Sequence, residues 1–219
     1  DNVNDRVIFF WNNRNARRKQ SGSLIFWFKK FLDEVGHDKA TLLMHTDPKD
    51  PHGQDLPIII ERLGLTNQQV MLSTEKLPPE HLAAIYNAVD CTVNISDAEG
   101  FGLSTLESLS CGTPILVNMT GGLQEQVTNG TDWFGIGMLP TSKTLIGSQN
   151  VPYIYEDRIS QDDFNNVLET FKQKGVGYIN AQLTLRAESY INIDQEMSEK
   201  VINIMEFMDN LDDVQEVHT

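Results

Sequence analysis

Cysteine is nearly absent from this chain: Cys91 and Cys111 are the only two in 219 residues. One lies in an apolar, strand-like run and the other at a helix end, which argues against a disulfide scaffold and for small packing residues in a reducing compartment. Basic residues are also scarce. Seventeen Lys and Arg stand against 31 Asp and Glu, a formal charge of −14, so nonspecific binding to nucleic acid or to an anionic membrane is disfavoured. Any acidic ligand needs a local basic site. No apolar run approaches the ~20 residues that span a bilayer, and Asp1-Asn2-Val3-Asn4 has neither the charged nor the apolar part of a signal peptide. The composition predicts a soluble, cytoplasmic chain without a transmembrane segment. Grouped metal ligands are missing too: His45, His52 and His81 fall on different elements, and no metal site is expected.

What is present is a regular alternation. Val7-Ile8-Phe9-Phe10-Trp11 suits a buried strand, and an apolar-rich stretch over about 21–35 suits a helix. Thr41 to Met44, Gln69 to Leu72, Cys91 to Ile95 and Ile115 to Val117 read as further strands. Between them lie a helix from Leu56 ended near Gly64 and one from about Pro79, whose Leu82, Ile85, Tyr86 and Val89 fall at i, i+3, i+4 and i+7. The order predicts an α/β fold: a doubly wound, mainly parallel, Rossmann-like sheet with helices on both faces and a helical C-terminus. The whole of 1–219 reads as a single domain, with residues 178–219 as C-terminal helices. Glycines and prolines from Trp133 to Tyr155 predict a long loop with little regular structure, after which the aromatic and acidic run Pro152 to Asp157 is expected to pack back onto the sheet. Ser160 with Asp163 predicts a capping box for a helix whose apolar stripe includes Phe164 and Val167. Asn94, Asn118 and Asn129 open Asn-x-Ser/Thr strings, but the first two sit in strand-like runs with no room for a glycan.

The chemistry concentrates in two places. Residues 97–114 place Gly100 and Gly102 just before a helix beginning near Leu103, with Glu99 and Glu107 on either side. Glycines allow close approach and φ > 0, and the helix start aims unpaired N–H groups at an anion such as a phosphate. Glu107 is expected on a polar stripe with Ser104, Ser108 and Cys111, and Leu103, Leu106 and Leu109 on the opposite, core-facing side. The second place is the loop after the first strand, where Arg14, Arg17, Arg18 and Lys19 crowd together. In a doubly wound sheet it opens at the same edge as the glycine turn, so its cations can neutralise a diphosphate. The loop 12–20 contains no glycine, which removes the dinucleotide fingerprint of a Rossmann oxidoreductase.

The string from Asp97 to Pro114 resembles the nucleotide-sugar signature of the glycosyltransferase family 4 (group 1) enzymes, with its two glutamates separated by seven residues. The likeness continues through Thr113 to Val117 and Gly121 to Val127, and upstream through Leu77 to Leu82 and Tyr86 to Asp90. The resemblance implies the C-terminal, donor-binding half of a GT-B enzyme: a retaining glycosyltransferase of hexosyltransferase type, independent of metal and without a cofactor beyond its donor substrate, a UDP- or GDP-sugar. It implies Glu99 as the catalytic-site carboxylate beside the donor sugar and Glu107 on the ribose hydroxyls. Gly100, Phe101, Gly102, Leu103, Ser104 and Thr105 are implied in holding the donor. Arg14 and Lys19 match the family's Arg and Lys pair on the diphosphate, with Arg18 the alternative to Arg14. The acceptor, a sugar or other hydroxyl compound, is expected on an N-terminal domain that this sequence does not include, so this domain alone is expected to bind donor but not to transfer. The competing reading is a non-catalytic nucleotide-sugar-binding or scaffolding module.

Overall fold

The computed structural model of the chain describes residues 6–147, 149 and 153–174. Six parallel strands form one sheet: β1 (Val7–Asn12), β2 (Ala40–His45), β3 (Val70–Ser73), β4 (Cys91–Asn94), β5 (Ile115–Asn118) and β6 (Gly135–Met138). Their spatial order, β3-β2-β1-β4-β5-β6, is that of a doubly wound α/β sheet. The helices α1 (Ser21–Val35), α2 (Leu56–Arg62), α3 (Pro79–Ala88), α4 (Leu103–Ser110) and α5 (Leu123–Val127) connect successive strands. A separate antiparallel pair, β7 (Ser142–Ile146) and β8 (Ile154–Arg158), is followed by α6 (Gln161–Lys174).

Strand β1 shows why both faces must be covered. Its alternating side chains divide between two cores, since successive residues of a strand point to opposite faces. Phe9 and Trp11 join α1, whose Leu24, Ile25, Phe28, Phe31 and Leu32 make a helical stripe. Phe10 turns the other way, edge-on to Tyr86 of α3 with ring centroids 5.1 Å apart. A third cluster seats α5 on β5 through Ile115, Val117, Leu123 and Val127. The α6 start is a reciprocal cap: Ser160 N donates to Asp163 Oδ2 at 2.8 Å, and Asp163 N donates to Ser160 Oγ at 3.2 Å. The helix then lays Phe164 against Trp27 of α1, centroids 5.6 Å apart.

The expectation of a long loop over 133–155 is corrected by β6, β7 and β8. Gly135 pairs with Ile115 in β6, and a glycine stands there because a Cβ would lie 1.9 Å from the Ile115 carbonyl oxygen on the neighbouring strand. The glycine marks a close backbone approach rather than a break. The expected helices beyond residue 178 lie outside the described residues. Among those residues, no helix is long and apolar enough to cross a membrane.

A second glycine holds the architecture near the carboxyl edge of the sheet. Gly121 has φ +50°, and a Cβ there would stand 1.8 Å from the carbonyl oxygen of Glu99. Gly64 also has a positive φ, +70°, but open space around its Cα. Gly64→Ala should therefore cost about 1 kcal/mol from backbone strain alone. Gly121→Ala should cost about 3 kcal/mol or more, because backbone must also move. Urea denaturation measures both, and equal losses would show that the turn at Gly121 does not rest on Glu99.

Candidate donor-binding site

The strand order reverses between β1 and β4, and in such sheets the crevice outside their carboxyl ends is where ligands sit. Two loops line it, 13–20 after β1 and 95–102 after β4. They are tied directly to each other: Asp97 N donates to the Arg18 carbonyl at 2.8 Å, and Gln20 Nε2 donates to Asp97 Oδ2 at 2.5 Å. Gln20 occupies the left-handed region at φ 56°, between a single 3-10 turn (Arg17–Lys19) and α1. Its side-chain oxygen accepts from Ser23 Oγ at 2.7 Å, so both ends of the amide hold this strained residue in place.

Charge in the crevice gathers on Glu99. Its carboxylate bonds the Lys19 ammonium, and the two side chains are only 10% and 9% exposed. Arg18 stands 3.7 Å from the same oxygen and donates to the Ala98 carbonyl at 2.6 Å. Burial pulls the Lys19 pKa below its ordinary value, against the raising effect of Glu99. Two cations thus share one carboxylate in a strongly acidic chain.

Beside them begins α4. Gly102 takes φ 87° at its N-cap, and no side chain caps the first turn, so the leading N–H groups are unused by a cap. The turn is braced from below, where Gln126 Nε2 donates to the Phe101 carbonyl at 2.6 Å and Gly122 N donates to the Glu99 carbonyl at 3.3 Å. Gly100 has open space where a Cβ would stand.

The face of α4 differs from expectation. Leu103 and Leu106 are 67% and 40% exposed, whereas Ser104, Thr105 and Ser108 are buried. Small polar residues let the helix lie close to the sheet, with bonds that satisfy them. Ser108 Oγ lies 2.8 Å from Thr92 Oγ1 and 2.9 Å from the Thr113 carbonyl, and Thr105 Oγ1 lies 2.6 Å from Gln126 Oε1 and 2.8 Å from the Gly102 carbonyl. The Thr105 hydroxyl is therefore engaged within the protein. Phe101 is exposed at the turn. Glu107 is exposed as well, and its Oε2 accepts from Tyr86 Oη at 2.9 Å.

Of the basic loop, Arg18 and Lys19 face Glu99. Arg14 points elsewhere: its guanidinium holds Asp50 at 2.6 and 3.3 Å and lies 2.8 Å from His52 Nδ1. That fork keeps the Asp50 carboxyl well below the usual carboxylate range. An open cleft of about 360 Å³ adjoins this cluster, lined by Arg17, Gln20, Pro51, His52, Gly53 and Gln54. Arg17 bonds Glu156 of β8.

Sequence reasoning expected β8 to pack back onto the sheet, and the structure adds how it does so. Glu156 is buried and also bonded by Arg158 at 2.9 Å. Burial pushes its carboxyl up, and the hydrogen bonds from Arg17 and Arg158 more than reverse this, leaving it below the ordinary range. Asp157 N donates to the Asp97 carbonyl at 2.8 Å, Thr120 Oγ1 donates to Asp157 Oδ2 at 2.9 Å, and Asn118 Nδ2 donates to the Asp157 carbonyl at 2.6 Å. The strand thus straps the loops after β1, β4 and β5. Glu156, Asp97 and Tyr86 were not picked out from sequence as site residues. Tyr86 looked like one more member of a core stripe, and only its hydroxyl sets it apart.

Residues 49–142 match the family of glycosyl transferases group 1. With the sheet order and the glycine turn in place, that stretch is similar to a group 1 glycosyltransferase domain. Among its relatives, the D-inositol 3-phosphate glycosyltransferase of Rhodococcus erythropolis is 31% identical over 132 residues, covering 54% of this chain and 29% of that protein. Among solved structures, Anabaena HepE in complex with UDP-glucose shares the fold with a TM-score of 0.58 at 19% identity, over 78% of this chain and 40% of that one. The chain therefore spans less than half the length of either. Residues 146–219 match a second family, the TACO1/YebC second and third domain. A Francisella philomiragia protein described as a probable transcriptional regulatory protein is 40% identical over 57 residues, covering 26% of this chain and 23% of that protein.

The Lys19–Glu99 pair makes a direct prediction. Glu99→Gln leaves a mostly buried ammonium without its closest counter-charge and should cost about 2–3 kcal/mol of stability. Lys19→Met combined with Glu99→Gln should cost clearly less than the sum of the single changes. Chemical denaturation of the four proteins measures the coupling; additive losses would mean that the pair does not form in solution.

Proposed function

We propose that this unit is the donor-binding half of a glycosyltransferase, holding a UDP- or GDP-sugar in the crevice between β1 and β4. The observation that carries the reading is the pair of cations, Arg18 and Lys19, gathered with Glu99 beside the uncapped start of α4. A diphosphate fits there, with its charge met by both side chains and by the N–H groups of residues 102–104. Arg18 takes the role that spacing alone would give Arg14, because Arg14 is committed to Asp50. Glu107 accepts from the ribose hydroxyls. Glu99 lies beside the donor sugar, where it positions the ring and stabilises positive character at the anomeric carbon.

Transfer breaks the bond between the anomeric carbon and the β-phosphate oxygen, the oxygen of an acceptor hydroxyl takes the sugar with retention of configuration, and the proton of that hydroxyl passes to the departing diphosphate. Negative charge grows on the departing diphosphate, and the cations and helix start stabilise that charge more than they stabilise the intact donor. Side-chain cations supply this without a metal. The acceptor, a sugar or another hydroxyl compound, is held by a further domain, which also excludes water. The crevice residues of this unit bind and activate the donor alone.

Calorimetric titration of UDP and GDP in the presence of EDTA tests the proposal. One of them should bind the wild-type chain. Lys19→Ala should weaken the diphosphate about tenfold while leaving the free nucleoside unchanged, since its contact is with phosphate. Arg14→Ala should behave as wild type. Absence of binding by a folded sample, or equal losses for nucleoside and diphosphate, would overturn the assignment.

A further inference from the structure

The candidate site contains one buried hydroxyl that the proposed function leaves unexplained. Tyr86 lies in α3, 1% exposed and packed against Phe10 of β1, yet its Oη is the middle member of a polar chain. Asn12, the last residue of β1, donates from Nδ2 to Tyr86 Oη at 2.9 Å, and Tyr86 Oη donates to Glu107 Oε2 at 2.9 Å. A phenol has one proton to give. With Asn12 supplying a donor to its lone pair, that proton is directed to Glu107. Burial pushes the Tyr86 pKa far up, so the hydroxyl keeps its proton at neutral pH.

The geometry points to Tyr86 as a positioning residue: it orients the exposed Glu107 carboxylate so that the remaining lone pairs face the ribose hydroxyls of the donor. This rests on the reading of Glu107 as the ribose acceptor. Without the tyrosine, Glu107 is a flexible surface side chain on α4 that must be ordered by the ligand itself. With it, one oxygen is already held, and part of the ordering cost is met before the nucleotide arrives. The chain Asn12–Tyr86–Glu107 also links the end of β1 through α3 to the middle of α4, which sets the carboxylate relative to the phosphate-facing loop after β1.

The test pairs a protein change with a ligand change. UDP, or GDP if that is the nucleotide bound, and its 2′,3′-dideoxy analogue are titrated into wild type, Tyr86→Phe, Asn12→Asp and Glu107→Ala. Tyr86→Phe keeps the packed ring and should weaken the nucleotide about three- to tenfold. It should leave the dideoxy analogue, which has no hydroxyl for Glu107 to meet, at its wild-type affinity. Asn12→Asp, which puts an acceptor where a donor stood, should draw the phenol proton away from Glu107 and give the same selective loss. A loss of equal size on both ligands in both variants would show that the hydroxyl only supports the fold, and would overturn the inference. So would no loss in either variant while Glu107→Ala selectively weakens the hydroxylated nucleotide. If Glu107→Ala itself shows no selectivity between the two ligands, the ribose reading of Glu107 fails, and the inference fails with it.

Discussion

The contact between loop 13–20 and loop 95–102 is the constraint on which the site depends. In a parallel sheet, neighbouring strands fix each other's registers, but the loops at their ends are free to diverge. In this protein a backbone bond from Asp97 to Arg18, an amide bond from Gln20 to Asp97 and the Lys19–Glu99 pair lock the two loops across the crevice. Isolated, each interaction is modest, and burying an ammonium with a carboxylate carries a large desolvation cost. What the pair contributes is geometry. Two cations are held at a defined place, in a chain whose net charge would otherwise repel a diphosphate.

The supports of that contact come from far along the chain. Gly121 and Gly122 sit beneath Glu99 and the turn at 100–102, where any side chain would strike backbone. Strand β8 straps the same loops through Glu156 and Asp157, and α6 packs Phe164 onto α1. These last elements lie within 146–219, the stretch that matches the TACO1/YebC family. In the structure, residues of that stretch between 154 and 167 are bonded or packed onto the six-stranded sheet and its loops. Whatever the origin of the C-terminal part, the polar strap at β8 belongs physically to the crevice.

Much of the fold is legible in the sequence because β1 to β5 are short apolar runs separated by amphipathic helices, and the run Ser21–Val35 carries its own period and ends at Gly36. The capping box at Ser160 and Asp163 is legible for the same local reason. What could not be read depends on distant neighbours. Gly135 and Gly137 look like loop punctuation until β5 is placed beside them. Leu103 and Leu106 look like a core stripe, because apolarity normally marks the buried face; in α4 the sheet demands close approach, and serine and threonine supply it. In the site, spacing and the resemblance single out the glycine turn, Glu99 and Lys19, and the fold brings Lys19 against Glu99. That Arg14 pairs with Asp50 while Arg18 stands beside Glu99 is not legible there, since it turns on Asp50 in a separate loop. The second family match, too, had no counterpart in the reading of 1–219 as one domain.

The measurement that bears most directly on the account is a crystal structure of the chain soaked with UDP or GDP. The account predicts the diphosphate between Lys19, Arg18 and the N–H groups at 102–104, with the ribose hydroxyls on Glu107 and the Tyr86 bond to that carboxylate intact. Nucleotide bound instead in the cleft beside Arg17 and His52, with the crevice between β1 and β4 empty, would contradict it.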